Sequence, residues 1–250
     1  MKTIAIALQK GGTGKTVLSV SIASCLARNY SGKVLLIDCD PQGNSTEWIH
    51  PDPLAAELAG VLLGKCSTQN AIASSSVPGL SILPTAGIGG ELKTWDEGAG
   101  LRKPFAFREL IKDIAALGYV FCIMDLSPSF GAVERAAIIS ADEVITPIIP
   151  DPFGISGLEI FANNLTNLRK DLDTQKPDYK RIVLNALDGR IKQHTEILES
   201  IKKDAAGFRL YTLPVDQVFR KAETEHKSLF DTVSAKKETI AELEKLCKEL

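Results

Sequence analysis

Three glycines, two lysines and two threonines fill seven consecutive positions in Lys10-Gly11-Gly12-Thr13-Gly14-Lys15-Thr16. Glycines at 11, 12 and 14 allow backbone N–H groups to turn toward one concavity without β-carbons in the way, which suits phosphate oxygens. Lys15 would reach the β- and γ-phosphates of a nucleoside triphosphate, and the Thr16 hydroxyl is a hard oxygen ligand suited to Mg²⁺. Carboxylates recur at two further places, in Asp38-Cys39-Asp40-Pro41-Gln42-Gly43-Asn44 and at Asp125, which closes Val120-Phe121-Cys122-Ile123-Met124. Cation, hydroxyl and carboxylates together are the means of phosphoryl transfer, in which positioning and charge stabilisation do most of the work.

These residues need elements to hold them. The apolar run Thr3–Leu8 reads as a strand before the loop and Val17 to about Asn29 as a helix after it. Strand, loop and helix is the context that a phosphate loop requires, and the helix N-terminus adds partial positive charge. Asp38 and Asp40 follow the strand Lys33–Ile37, so they lie at the C-terminal sheet edge where open α/β folds bind ligands. Further strands are expected at Leu80–Leu83, Tyr119–Met124, Glu143–Ile149, Arg181–Leu187 and Arg209–Leu213, with helices at Phe105–Leu117, Ser156–Leu172 and Thr195–Lys203. Near-continuous apolar strands alternating with helices imply an α/β fold, a mostly parallel twisted sheet with helices on both faces. Ser156 is the expected N-cap of its helix. Pro84–Pro104, with glycines at 87, 89, 90, 98 and 100, reads as a long irregular connection. Between Val233 and Leu250, the side chains of Ile240, Leu243, Leu246 and Leu250 share one side of a helix expected to pack on the rest. No internal repeat or low-complexity linker interrupts the chain, so 1–250 is expected to be one domain.

Composition narrows the classes. A net charge of −2, from 29 Lys and Arg against 31 Asp and Glu, excludes nucleic-acid binding through a strongly basic whole-protein field and leaves a local patch open. The chain has no run of about 18 apolar residues, and the N-terminus enters a strand without a signal-peptide pattern, which points to the cytoplasm. Cys25, Cys39, Cys66, Cys122 and Cys247 are scattered, without the paired spacing of a zinc site, and read as reduced thiols.

One feature departs from the general phosphate loop: Gln9 stands where a glycine is usual, and a second lysine, Lys10, follows it. Alone, a loop lysine reads as solvated charge. In the string Lys-Gly-Gly-x-Gly-Lys-Thr it resembles the deviant Walker A loop of the ParA/MinD superfamily, closest to short ParA-type partition ATPases without an N-terminal DNA-reading domain. The resemblance runs from Lys2 to the last helix. Asp38–Asn44 resembles that family's switch I, and Asp125-Leu126-Ser127-Pro128-Ser129 its Walker B and switch II, with Ser127 where a first proline is usual. Pro150-Asp151-Pro152-Phe153 resembles the segment after the fifth strand.

The resemblance implies a P-loop ATPase that uses ATP and Mg²⁺. Gly11 to Thr16 would hold the phosphates, and Thr16 and Asp125 the metal, with Asp38 supporting it through water. Asp40 would orient or activate the attacking water, and Lys10 would reach the nucleotide of a partner subunit. Asn185 and Pro214 would flank adenine. The family's cycle implies a homodimer in the ATP state, nonspecific DNA binding by that dimer, a ParB-like partner that stimulates hydrolysis, and partition of plasmid or chromosomal DNA or positioning of another large cargo near the nucleoid. Arg220 and Lys221 are the candidate DNA contacts, with solvated helix surface as the plainer reading. A MinD-like membrane regulator is disfavoured by the terminal helix, which lacks the aromatic residues of a membrane-surface helix. A P-loop metabolic kinase or synthetase would need an acceptor site that no residue pattern here supplies.

Overall fold

The computed structural model describes the backbone of residues 1–50, 52–204 and 207–250, and their side chains other than those of Phe153 and Asp204. The first half runs β1 (Lys2–Ile6), α1 (Lys15–Asn29), β2 (Val34–Cys39), α2 (Asn44–Ile49), α3 (Leu58–Leu62), α4 (Thr68–Ala71), β3 (Ala73–Ser74) and β4 (Leu80–Leu83). There follow α5 (Leu92–Glu97), a 3₁₀ turn at Ala99–Arg102, α6 (Ala106–Ala116), β5 (Phe121–Leu126), α7 (Ala132–Ser140) and β6 (Glu143–Ile148). The chain continues through α8 (Pro152–Asp171), β7 (Asp178–Leu187), α9 (Lys192–Asp204), β8 (Arg209–Pro214), α10 (Val218–Thr224), a second 3₁₀ turn at Leu229–Asp231 and α11 (Lys237–Lys248).

Among the described residues the strands form one eight-stranded sheet in the order β3-β4-β2-β5-β1-β6-β7-β8. Each neighbouring pair is parallel except β3 with β4, at the edge. The central strands are apolar at nearly every position because both of their faces are covered. Ile4, Ile6, Leu36 and Ile123 join one core cluster with residues of α1 and α11. Their sequence neighbours Ala5, Leu35, Ile37, Cys122 and Met124 join the other, with residues of α6, α7 and α8. The α/β architecture with helices on both faces is therefore as the sequence implies. Leu243 and Leu246 bury α11 against α1 and β8, as expected, although the helix begins at Lys237. Among the described residues no helix is long and apolar enough to cross a membrane. The five cysteines are free, and all but Cys66 are buried.

Two expectations need correction. Pro84–Pro104 is not an irregular connection, since it carries α5 and a 3₁₀ turn. Leu92 and Trp95, spaced one turn apart on one face of α5, are each 1% exposed, and Gly100 lies close against the Trp95 ring. A helix of six residues set among five glycines is too short for its period to stand out. The second correction concerns the start of α8. Ser156 lies inside the helix; the N-cap is Asp151, whose Oδ1 accepts the Gly154 N–H at 2.6 Å, with Pro152 in the first helical position. The short edge strand β3 and the short helices α2, α3 and α4 were also not expected.

Candidate functional site

β1 delivers the chain into the glycine loop, and α1 leaves it at Lys15, two residues earlier than the apolar pattern indicates. Gly14 caps that helix with φ +90, a left-handed conformation that favours glycine, and a β-carbon there would collide with the Asn185 side-chain amide. The first amides of α1 have no partner within the helix, which makes the loop and helix end an anion seat. Lys15 is only 7% exposed, and its Nζ donates to the Lys10 carbonyl at 2.9 Å, so the side chain folds back over the loop. Burial lowers its pKa, opposed by the negative charges of Asp125, Asp40 and Glu134. Lys10 points elsewhere: its Nζ donates to both carboxylate oxygens of Asp151, at 2.7 and 2.6 Å, at the start of α8.

Parallel register assembles the acidic side. Ile6 and Asp38 are both register partners of Asp125, so the ends of β1, β2 and β5 converge where the loop begins. Asp125 is fully buried, and desolvation pushes its pKa up to about 7, with the neighbouring Asp38 charge adding to the rise and the Ser19 and Thr16 hydroxyls beside it opposing. Its Oδ1 accepts the Ser19 hydroxyl at 2.9 Å. Its Oδ2 is buried with no hydrogen-bond partner among the described residues. An unpartnered buried carboxylate oxygen beside a threonine hydroxyl is a poor place for an apolar neighbour and a good one for a hard cation, so the donor set fits Mg²⁺.

Asp38 is fully buried too, and desolvation raises its pKa to about 6, although hydrogen bonds from Thr46 and Asp40 oppose the shift. Its Oδ2 accepts the Thr46 hydroxyl at 2.6 Å and the Thr46 N–H at 2.8 Å, and its Oδ1 accepts the Asp40 N–H at 3.1 Å. Thr85 adds a bond from its hydroxyl to the Asp38 carbonyl at 2.6 Å and one from its N–H to the Thr46 hydroxyl at 3.0 Å. Asp38 thus ties the end of β2 to the start of α2. Gly43 sits within that turn at φ +70, where a β-carbon would meet the Gly87 backbone. Asp40, 7% exposed, accepts the Gln42 N–H on Oδ1 at 2.9 Å and lies close enough to act electrostatically on both Lys15 and Asp125.

The structure thus brings Lys15, Thr16, Asp38, Asp40 and Asp125 together. Asn185 joins them at the loop, its amide donating to the Thr13 carbonyl at 3.0 Å. Pro214 ends β8 in register with Leu187 of β7. Arg220 and Lys221 are exposed on α10. Three residues at the site escaped the sequence. Ser19 lies three residues after Thr16 along α1, a spacing that places both hydroxyls on one side of the helix. Asp151 could have been found from the Asp-Pro pair that opens α8. Glu134, 2% exposed on α7, belongs to no motif string.

Comparison with known proteins agrees with this geometry. The family model described as AAA domain matches residues 1–178. The sporulation initiation inhibitor protein Soj of Bacillus subtilis is 31% identical over 210 residues, covering 81% of this chain and 79% of Soj. The chromosome partitioning protein ParA of Caulobacter vibrioides is 28% identical over 233 residues, covering 89% and 83%. In fold, apo McdA of Cyanothece superposes with a TM-score of 0.86 over 100% of this chain and 98% of that one, at 20% identity. With the phosphate loop, the paired strand-end carboxylates and the sheet order all in place, the chain belongs to the ParA/MinD superfamily of deviant Walker A ATPases.

Proposed function

We propose that this protein is an ATP-driven dimerisation switch that hydrolyses ATP to partition or position DNA or another large cargo. The observation that carries the reading is the division of labour between the two loop lysines. Lys15 is buried and turned into its own loop, whereas the Lys10 side chain, 23% exposed, turns to Asp151 at the start of α8, at 2.6–2.7 Å. A lysine on a long stem that is not turned into its own loop can serve a second nucleotide if two copies meet face to face, as an arginine finger does in trans. In that arrangement one chain, 1–250 acting as a single domain, contributes Lys10 to its partner's site.

Within each copy the amides of Gly11 to Thr16 and the Lys15 ammonium hold the triphosphate. Thr16 and Asp125 would hold Mg²⁺, with Asp38 in support from its place in the β2 turn, and the metal would neutralise phosphate charge. Asp40 orients the attacking water and accepts its proton. Asn185 and Pro214 flank the base. A ParB-like partner stimulates turnover and so resets the dimer. The protein works in the cytoplasm, at the nucleoid.

Binding to DNA is testable despite the net charge of −2. A monomer offering Arg220 and Lys221 neutralises few phosphates, and a dimer doubles the patch. Locked with ATP by Asp40→Ala, the protein should retain duplex DNA of any sequence, with log affinity falling linearly in log salt at about −0.9 per phosphate contacted. Replacing Arg220 and Lys221 with Ala should flatten that slope without changing ATP affinity. Failure of the locked protein to retain DNA even at low salt would replace the DNA cargo with a protein surface.

A further inference from the structure

Glu134 sits at the third position of α7, and its Oε2 accepts the Gly131 N–H at 2.8 Å, which is ordinary N-terminal capping. Capping leaves two facts unexplained. The carboxylate is 2% exposed, and its other oxygen, Oε1, accepts a short hydrogen bond from the Ser127 hydroxyl. A buried charge is costly unless its partners are well placed. The partners here come from the segment that follows Asp125. Ser127 Oγ also accepts the Ser129 N–H at 3.2 Å and shares a hydrogen bond with the Ser129 hydroxyl at 3.1 Å, and Ser129 Oγ accepts the Gly131 N–H at 3.3 Å. Residues 127 to 131 are thus closed into a ring around one carboxylate. Two residues further on, the Val133 N–H is taken by Asp96 Oδ1 of α5 at 2.7 Å.

Ser127 stands where the family's proline would be, and a proline there would carry no hydroxyl. The serine and the glutamate therefore depend on each other: without Glu134 a buried hydroxyl loses its acceptor, and without Ser127 a buried carboxylate oxygen loses its donor. Ser127 follows Asp125 by two residues at the end of β5, so the ring continues directly from that carboxylate, and Glu134 also acts on Lys15 through its charge.

We propose that Glu134 is a positioning residue for phosphoryl transfer in this chain, holding Ser127 and Gly131 so that the segment after Asp125 keeps the path required for hydrolysis. The proposal rests on the ATPase reading above. It predicts an effect on the chemical step more than on binding, because the loop amides and Lys15 seat the nucleotide without Glu134.

The test compares parent, Glu134→Ala, Glu134→Gln, Ser127→Ala and the Ser127→Ala/Glu134→Ala double variant by steady-state ATP hydrolysis and by hydrogen exchange of the nucleotide-free protein. Misplacement on the ångström scale should lower kcat of Glu134→Ala by about 10- to 100-fold, with KM within about threefold of the parent. Glu134→Gln, which keeps an acceptor for Ser127, should retain more of kcat. The double variant should be no worse than Glu134→Ala beyond about twofold, since the two residues act as a unit. In exchange, the amides of Ser129 and Gly131 should open faster in Glu134→Ala with no nucleotide present. A kcat within twofold of the parent, multiplicative single effects, or a raised KM at constant kcat would overturn the proposal. If Glu134→Ala fails to fold, Glu134→Gln and Ser127→Ala decide it by the same kcat and KM split. A parent that hydrolyses no ATP would refute the ATPase reading, and unchanged exchange at Ser129 and Gly131 would refute the positioning role separately.

Discussion

Lys15→Ala is expected to remove tight ATP binding. The residue is the buried cation of the glycine loop, and its ammonium lies in the field of Asp125, Asp40 and Glu134. Two charge-assisted hydrogen bonds to phosphate oxygens are worth about 3–6 kcal/mol, which corresponds to a loss in affinity of roughly 10²- to 10⁴-fold. The loss has a second source, because without the ammonium the charges of Asp40 and Glu134 are no longer offset, and the loop amides and Mg²⁺ would have to hold the triphosphate without it. Titration of a fluorescent ATP analogue, with circular dichroism to check the fold, measures it. Affinity equal to the parent's would show that the nucleotide binds elsewhere.

Asp40→Ala should leave ATP affinity nearly intact and slow hydrolysis by about 10²- to 10⁴-fold, the range for losing a positioned acid–base group. Asp40 also accepts the Gln42 N–H, so the alanine variant loosens that turn as well as removing the carboxylate. Asp40→Asn separates the two effects, since its side-chain carbonyl can still accept from Gln42 but cannot take a proton. Equal loss of turnover in both variants assigns the effect to the carboxylate. Single-turnover measurements with saturating ATP are the check, and turnover within a few-fold of the parent in Asp40→Asn would remove Asp40 from the chemistry.

Much of this site was legible in the sequence because its parts are contiguous strings at strand ends. Lys10–Thr16, Asp38–Asn44 and Asp125–Ser129 each follow an apolar run, and a parallel sheet carries such ends to one edge. What escaped was whatever depended on distant register or on very short elements. That Asp38 and Asp125 are register partners follows from β2 lying beside β5, which no local pattern states. The commitment of Asp38 to Thr46, and of Asp151 to both Lys10 and the cap of α8, joins residues through the folded chain. Ser156 is a capping residue by type, but Asp151, five residues earlier and followed by Pro152, supplies the acceptor that the Gly154 N–H meets. In α5, Leu92 and Trp95 give a single repeat, too little to outweigh the surrounding glycines. Glu134 stayed hidden because a glutamate early in a helix is unremarkable until its second oxygen is seen to hold Ser127.

If ATP joins two copies through Lys10, the joined state must appear in nucleotide-dependent sizing. Parent and Lys10→Ala proteins would be run by size exclusion with light scattering, each without nucleotide, with Mg-ADP and with Mg-ATP. The parent should become a dimer with Mg-ATP alone, whereas Lys10→Ala should bind ATP yet remain a monomer, since the cation that completes the partner's site is gone. A parent that stays monomeric with bound ATP, or an ATP dimer equally stable in Lys10→Ala, would refute the role of Lys10 in trans.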